Sequence, residues 1–287
     1  MRMGEVISEQ VRVGGVALHV NRWEGQGRQP SFLLVHGLAS NARLWDGVAT
    51  RLSDRGHAAV AVDLRGHGLS DKPDDGYDFG TVSADLATLI AALRLDRPVA
   101  AGQSWGGNVV MELAVRHPRT VRGIVCVDGG TIHLSRSFAS WDRCAAALAP
   151  PKTAGLPRER IEAMVRAGHA GWPQSGVDGA LANWEFRADG TVAPWLTFEH
   201  HMTILRHLYE HKPSEVYPKV PVPVLLVPAD TGDDEWTAGK RGSVAEAEAA
   251  LPRVRTHWFV GHHDVHAQYP DDVADLFIET ADSGFFG

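Results

Sequence analysis

The strongest constraint on this chain is an alternation of two kinds of segment. Short apolar runs with strand character recur at 16–20, 32–35, 58–63, 98–102, 123–128, 222–227 and 254–260. Between most of them lie stretches with helical spacing, at 41–56, 82–95, 105–118, 243–252 and 270–281. Several runs are apolar on both faces, as strands buried inside a parallel sheet must be. Strand–helix alternation of this kind predicts an α/β architecture, a mostly parallel sheet covered by helices on both sides.

The alternation stops between about Gly130 and Pro221. That stretch is rich in aromatic residues (Phe138, Trp141, Trp172, Trp184, Phe186, Trp195, Phe198), holds several Pro and Gly, and shows helical patches without a convincing run of strands. It reads as a helical insertion, so the expected organisation is a core domain of 1–129 and 222–287 interrupted by a helical cap of 130–221. A chain of 287 residues is long enough for one large domain with such an insertion.

Charge narrows the partners. The formal net charge is -7 and no cluster of Lys and Arg offsets it locally, so nucleic acid and anionic membrane surfaces are excluded as expected partners and a small molecule is favoured. The two cysteines, Cys126 and Cys144, are too few for a secreted disulfide framework, and Cys126 sits in the apolar run GIVCVD, which favours a reducing cytoplasm. The start, MRMGEVISEQVRV, has charges and no apolar signal core, and no uninterrupted apolar run is long enough to cross a bilayer. The expectation is a cytoplasmic protein, neither exported nor membrane-spanning.

Chemistry enters at VAAGQSWGGNVV, where Ser104 stands between Gly102 and Gly106, after a strand-like run and before a helix stopped by Pro118. Gly-x-Ser-x-Gly in that context is a nucleophile elbow, a sharp turn that lifts a serine hydroxyl above the sheet edge. Strand and helix approach so closely there that side chains at 102 and 106 would collide with their neighbours. A serine hydroxyl needs a base to become nucleophilic at neutral pH, and the base needs an orienting carboxylate. The loop GHHDVHAQYP, between a late strand and the final helix, offers His262, His263 and His266 as bases. The same cluster has histidines at metal-ligand spacing, but no second ligand motif accompanies it, and no metal is expected.

Taken together, LLVHG (33–37), VDLRGHGLSDKP (62–73), GQSWGG (102–107), the aromatic insertion, VPVLLVPAD (222–230) and GHHDVHAQYP (261–270) resemble the α/β-hydrolase fold family along nearly the whole chain. The resemblance implies that fold, with a helical lid. Measured back from Pro270, which opens the last helix, it selects His263 as the base, with His266 as fallback. It implies an oxyanion hole made by the amides of Leu38 and Trp105, the latter side chain lining the pocket floor, and it assigns Asp63, Arg65 and His67 to a structural loop. It implies no cofactor.

The acid departs from the family pattern. Most relatives carry it in a turn after the penultimate strand, where an ungapped comparison meets Gly232, and Asp233 serves only with a one-residue insertion. A minority, some haloalkane dehalogenases and a mycotoxin lactonase group among them, carry it at the end of the strand after the elbow helix, here Asp128. Asp128 is favoured over Asp233, although both satisfy the Ser, acid, His order. The implied reaction is acyl transfer to water through Ser104, His263 and Asp128, on a carboxylic ester or lactone of a hydrophobic small molecule. A serine at 104 argues against the aspartyl ester intermediates of dehalogenases and epoxide hydrolases. The alternatives are a C–C bond hydrolase of a diketone, a cofactor-free oxygenase or lyase, and a non-catalytic ligand receptor on the same fold. The Trp and Phe residues of the insertion suggest a pocket for an apolar or aromatic group, but aromatic residues in a small helical lid more often pack the lid against the core, and that use is favoured.

Overall fold

A computed structural model describes residues 6–232 and 234–287. In chain order the elements are β1 (Val6–Val13), β2 (Val16–Trp23), β3 (Arg28–Val35), α1 (Asp46–Asp54), β4 (His57–Val62), α2 (Phe79–Ala92), β5 (Val99–Gln103), α3 (Trp105–Arg116) and β6 (Gly123–Val127). Then come α4 (Leu134–Ser137), α5 (Trp141–Leu148), α6 (Arg158–Gly168), α7 (Gln174–Leu181), the short hairpin β7 (Trp184–Phe186) and β8 (Val192–Pro194), and α8 (Phe198–Glu210). The chain finishes with β9 (Val224–Val227), β10 (Ala229–Asp230), α9 (Asp234–Ala250), β11 (Val254–Thr256), β12 (Phe259–Val260), α10 (Val265–Gln268) and α11 (Pro270–Asp282).

Among the described residues eight strands form one sheet in the order β1-β2-β4-β3-β5-β6-β9-β11. From β4 to β11 every pairing is parallel, while β2 pairs antiparallel with both β1 and β4. The central strands β5 and β6 are buried at every position, because helices cover both faces of the sheet. On one face Trp45, Val48 and Leu52 of the α1 region meet Phe277 and Ile278 of α11 against Phe32 and Leu34. On the other, Val82 and Leu86 of α2 and Val109, Val110 and Leu113 of α3 pack against Leu33 and Val35. This is the architecture expected from the alternation, and removing so much apolar surface from water is its principal driving force.

Several elements differ from the sequence reading, the run at 254–260 being split into β11 and β12 among them. β1 lies where only a charged start was read: it alternates exposed and half-buried positions as an edge strand, in register with β2 from Val6↔Trp23 to Val13↔Val16. α9 begins at Asp234, well before the expected 243, because Gly239 and Gly242 dilute the helical signal of its first half. The hairpin β7–β8 has three-residue strands, too short to show a period of two, and pairs Trp184 with Pro194. The chain leaves the sheet after β6 and returns at β9, and the helices between share a small apolar cluster that includes Ile161, Val165, Val177 and Leu181. Among the described residues no helix is long and apolar enough to cross a membrane. Cys126 and Cys144 are free and buried.

The loop after β4 is held by buried polar groups. Asp63 accepts from Ala42 N at 2.7 Å and Leu69 N at 3.0 Å and pairs with His19 Nδ1 at 2.8 Å. Burial alone would raise its carboxyl pKa, but these bonds and the nearby His36 hold it below the usual value. Arg65 forks onto Asp85 of α2 through Nε at 2.6 Å and Nη2 at 2.9 Å, with side chains only 9% and 11% exposed. Asp85→Ala would leave the guanidinium buried without its partner, and should destabilise the protein by about 3–5 kcal/mol. Denaturant unfolding followed by circular dichroism checks this: a loss below about 1 kcal/mol, typical of an exposed pair, would overturn it.

Candidate active site

Ser104 stands alone between the end of β5 and the start of α3, with φ 53° and ψ −124°. A non-glycine residue in the left-handed half of conformational space costs about 1–3 kcal/mol, and it persists only where its surroundings leave no alternative. Here the crossing of strand and helix leaves none. A Cβ added at Gly102 would lie 2.1 Å from the Gly106 carbonyl oxygen, and one added at Gly106 would lie 2.4 Å from the His36 carbonyl oxygen. The Ser104 N–H donates to Val127 O of β6 at 2.9 Å, which ties the turn to the neighbouring strand. The residue lines two cavities that meet at it, one of about 740 Å³ and one of about 270 Å³.

His263 lines both of these cavities as well. Its Nδ1 donates to Asp128 Oδ2 at 2.5 Å, a contact between residues 135 positions apart in the chain. Asp128 follows β6 directly, has φ 41°, and is buried, its Oδ1 accepting from Ala229 N at 2.9 Å. Among the described residues no hydrogen bond joins Ser104 Oγ to His263 Nε2, an arrangement common when no substrate is in place. The His263 ring keeps 45% of its surface open. Burial by the surrounding chain works against the imidazolium, but the Asp128 hydrogen bond and the charges of Asp264 and Asp128 outweigh it and raise the pKa above 6.5. Burial would likewise raise Asp128, yet its contacts with His263 and Lys240 hold its pKa below the ordinary value.

The other histidines of this loop are placed differently. His266 is buried, lies tilted against Trp45 with ring centroids 4.2 Å apart, and has no hydrogen-bond partner for either ring nitrogen among the described residues. Burial pushes its pKa down to about 4. His262 sits edge-on to Trp172 at 5.2 Å. Among the described residues no group of three or more His, Cys, Asp or Glu is arranged to hold a metal ion. Of the two acids weighed from sequence, Asp128 meets His263; Asp233 lies outside the described residues. In the turn after β9, Asp230 faces Gly232 N at 3.1 Å and Arg241 Nη2 at 3.0 Å instead.

Behind the serine, the chain from His36 to Leu38 passes beneath the elbow. His36 Nδ1 donates to Gly37 O at 2.7 Å and its Nε2 accepts from Leu64 N at 3.0 Å, so the loop after β4 fixes this turn. Among the described residues neither the Leu38 nor the Trp105 N–H donates a hydrogen bond, which leaves both free for a ligand oxygen. The Trp105 side chain corrects its expectation. It lines neither cavity, being buried and stacked on His67 with centroids 5.7 Å apart.

The larger cavity is apolar, with Leu134, Leu148, Leu205, Leu208 and Val244 in its wall. None of the Trp and Phe residues of 130–221 lines it, and only Trp184 reaches the smaller one. The structure thus follows the packing use of these aromatics and not the aromatic-pocket one. Trp141 packs edge-on to Tyr209 at 5.8 Å within the insertion, while Trp172 and Trp195 meet His262 and Lys72 outside it. Sequence reading also missed Lys240, whose ammonium reaches Asp128 Oδ1 at 2.7 Å. A lysine in a glycine-interrupted, charged helix carries no local signal of such a role.

With this geometry in place, comparisons with known proteins assign the class. A family model described as alpha/beta hydrolase fold matches residues 30–161. The chain has the α/β-hydrolase fold, and the family match covers a little under half of it. It is 39% identical over 122 residues to a 2-(acetamidomethylene)succinate hydrolase from Mesorhizobium japonicum, a match covering 42% of each chain. The match therefore spans less than half of that relative's length. The crystal structure of an E-2-(acetamidomethylene)succinate hydrolase superposes with a TM-score of 0.81 at 24% identity, covering 97% of this chain and all of that one. That of the enol-lactonase from Burkholderia xenovorans LB400 superposes with a TM-score of 0.71 at 18% identity, covering 96% of this chain.

The site geometry makes a prediction about His263 that needs no substrate. Its imidazole, followed by NMR across pH, should titrate with a midpoint above 6.5. Asp128→Asn removes the carboxylate that favours the charged ring, so the midpoint should fall; a midpoint that stays put would detach Asp128 from the ring.

Proposed function

We propose that the protein is a serine hydrolase cleaving a carboxylic ester or lactone of a hydrophobic small molecule. The observation that carries this reading is the His263–Asp128 hydrogen bond on the wall of a cavity that also holds the strained Ser104. In the proposed reaction His263 Nε2 takes the Ser104 proton as Oγ attacks the substrate carbonyl. Asp128 holds the imidazole by Nδ1 and stabilises the imidazolium. The Leu38 and Trp105 amides bind the oxyanion, and His263 then protonates the leaving group. Water attacks the acyl-enzyme by the same steps in reverse, using only groups of this chain. Segment 130–221 acts as the lid, and its leucines in the larger cavity favour an apolar substrate group. The second reading is hydrolysis of a non-ester bond, a C–C bond of a diketone included. It is favoured by the relative named for 2-(acetamidomethylene)succinate, a name with no ester in it.

Turnover of p-nitrophenyl acetate together with labelling by a fluorophosphonate tests the proposal. Native protein should be labelled, and Ser104→Ala should lose both the label and about 10⁴–10⁶-fold in kcat. Absent labelling of the native protein, or labelling undiminished in Ser104→Ala, would overturn it. For the acid, Asp128→Asn should lower kcat by about 10³–10⁴-fold. Asp233→Asn should leave kcat near the native value; a loss confined to Asp233→Asn would reassign the role.

A further inference from the structure

Lys240 is the cation most tightly built into the site, and the proposed reaction gives it no task. It projects from α9 into the wall of the larger cavity with a side chain only 12% exposed. An ammonium so withdrawn from water is costly unless its protons are accepted. Here they are: Nζ lies 2.7 Å from Asp128 Oδ1, 2.9 Å from Asp128 Oδ2 and 2.6 Å from the Ala229 carbonyl oxygen. Two of these contacts are hydrogen bonds, to Asp128 Oδ2 and to the Ala229 carbonyl oxygen, so the ammonium is committed to the acid and its neighbour.

Each oxygen of Asp128 has two partners. Oδ1 takes the Ala229 N–H and the lysine, while Oδ2 takes the lysine and His263. Ala229 thus contributes its N–H to the carboxylate and its carbonyl oxygen to the ammonium, closing a ring of contacts around the acid. Asp230, one residue on, is turned away towards Gly232, Thr237 and Arg241 at the start of α9. The helix that follows that turn therefore delivers a cation to the carboxylate at the end of β6.

Resting on the serine hydrolase reading, we propose that Lys240 is a positioning residue for the hydrolysis. It clamps both oxygens of Asp128 against Ala229, fixes the direction from which Oδ2 holds His263, and does not touch substrate. An aspartate at the free end of a strand would otherwise turn about its side-chain bonds with one backbone N–H to restrain it. The clamp has an electrostatic consequence as well. The groups facing His263 are Asp128 from β6, Asp264 beside it, Lys240 from α9, and His262 and His266 of its own loop. The two carboxylates favour the imidazolium and the lysine opposes it. Lys240 thereby offsets part of the basicity that Asp128 confers, and keeps more of the ring neutral and ready to take a proton near pH 7.

The test compares Lys240→Met, similar in length and uncharged, with Lys240→Arg, each in the native and the Asp128→Asn background. Turnover of p-nitrophenyl acetate and the NMR titration of His263 are the readouts. Lys240→Met should raise the His263 midpoint, and with it the acid limb of kcat/KM, by about half a unit or more. It should lower kcat by about tenfold with KM unchanged, while Lys240→Arg restores most of the loss. In the Asp128→Asn background Lys240→Met should add no further loss, because the lysine acts through that carboxylate. An unmoved midpoint, an equal loss in both backgrounds, or a rise in KM at constant kcat would each overturn the proposal. Should Lys240→Met not fold, Lys240→Gln, which keeps a donor and removes the charge, carries the same comparison. If native protein turns over no ester and takes no fluorophosphonate, the hydrolase reading fails. The His263 titration then still decides whether Lys240 acts on the ring through Asp128.

Discussion

The site depends on one contact between backbones, where β5 turns into α3 and the carbonyl of Gly106 lies over Gly102 with no room for a methyl group. Because strand and helix touch there, the residue between them is forced to φ 53°, and it happens to carry a hydroxyl. That strain is held by the sheet: β5 is paired on one side with β3 and on the other with β6. The ends of those two neighbours then deliver the remaining groups, His36 to Leu38 after β3 and Asp128 after β6. A parallel sheet brings all its carboxyl ends to one edge, so the elbow, the turn behind it and the carboxylate meet there without any long-range search.

Electrostatics separates the histidine at this edge from the others. His36, His67 and His266 are buried without a contacting carboxylate, and loss of water drives each towards the neutral form. His263, its ring partly open, is also disfavoured in its charged form by the chain around it, but Asp128 and Asp264 reverse the direction. The carboxylate can do so because it is itself kept ionised by the groups around it, Lys240 among them. Protonation at this edge is therefore a property of three side chains from three separate elements.

Much of the fold was legible because burial leaves a local trace. The sheet strands β4, β5, β6 and β9 are apolar on both faces, and stretches at period 3.6 lie between most of the sheet strands. What escaped was whatever burial did not mark. β1 is a half-exposed edge whose charged residues hide its alternation, and the β7–β8 strands are too short to show a period. Trp105 was read by its place next to the serine. Position along the chain fixes where its N–H lies but not where its ring goes, and the indole is buried against His67.

By itself, the sequence determined the order of strands and helices, the elbow with its two glycines, and a small set of histidines and acids from which the site is drawn. These follow from local sterics and periodicity, which act over a few residues. Which of these groups meet was decided only by the tertiary structure: His263 and Asp128 are 135 residues apart, and Lys240 is 112 from the same carboxylate. Chain order is the same whichever acid is chosen, and a lysine that clamps a buried carboxylate looks, in one dimension, like a lysine in water. Only the packing of α9 and the late loop against the end of β6 turns those separations into hydrogen bonds.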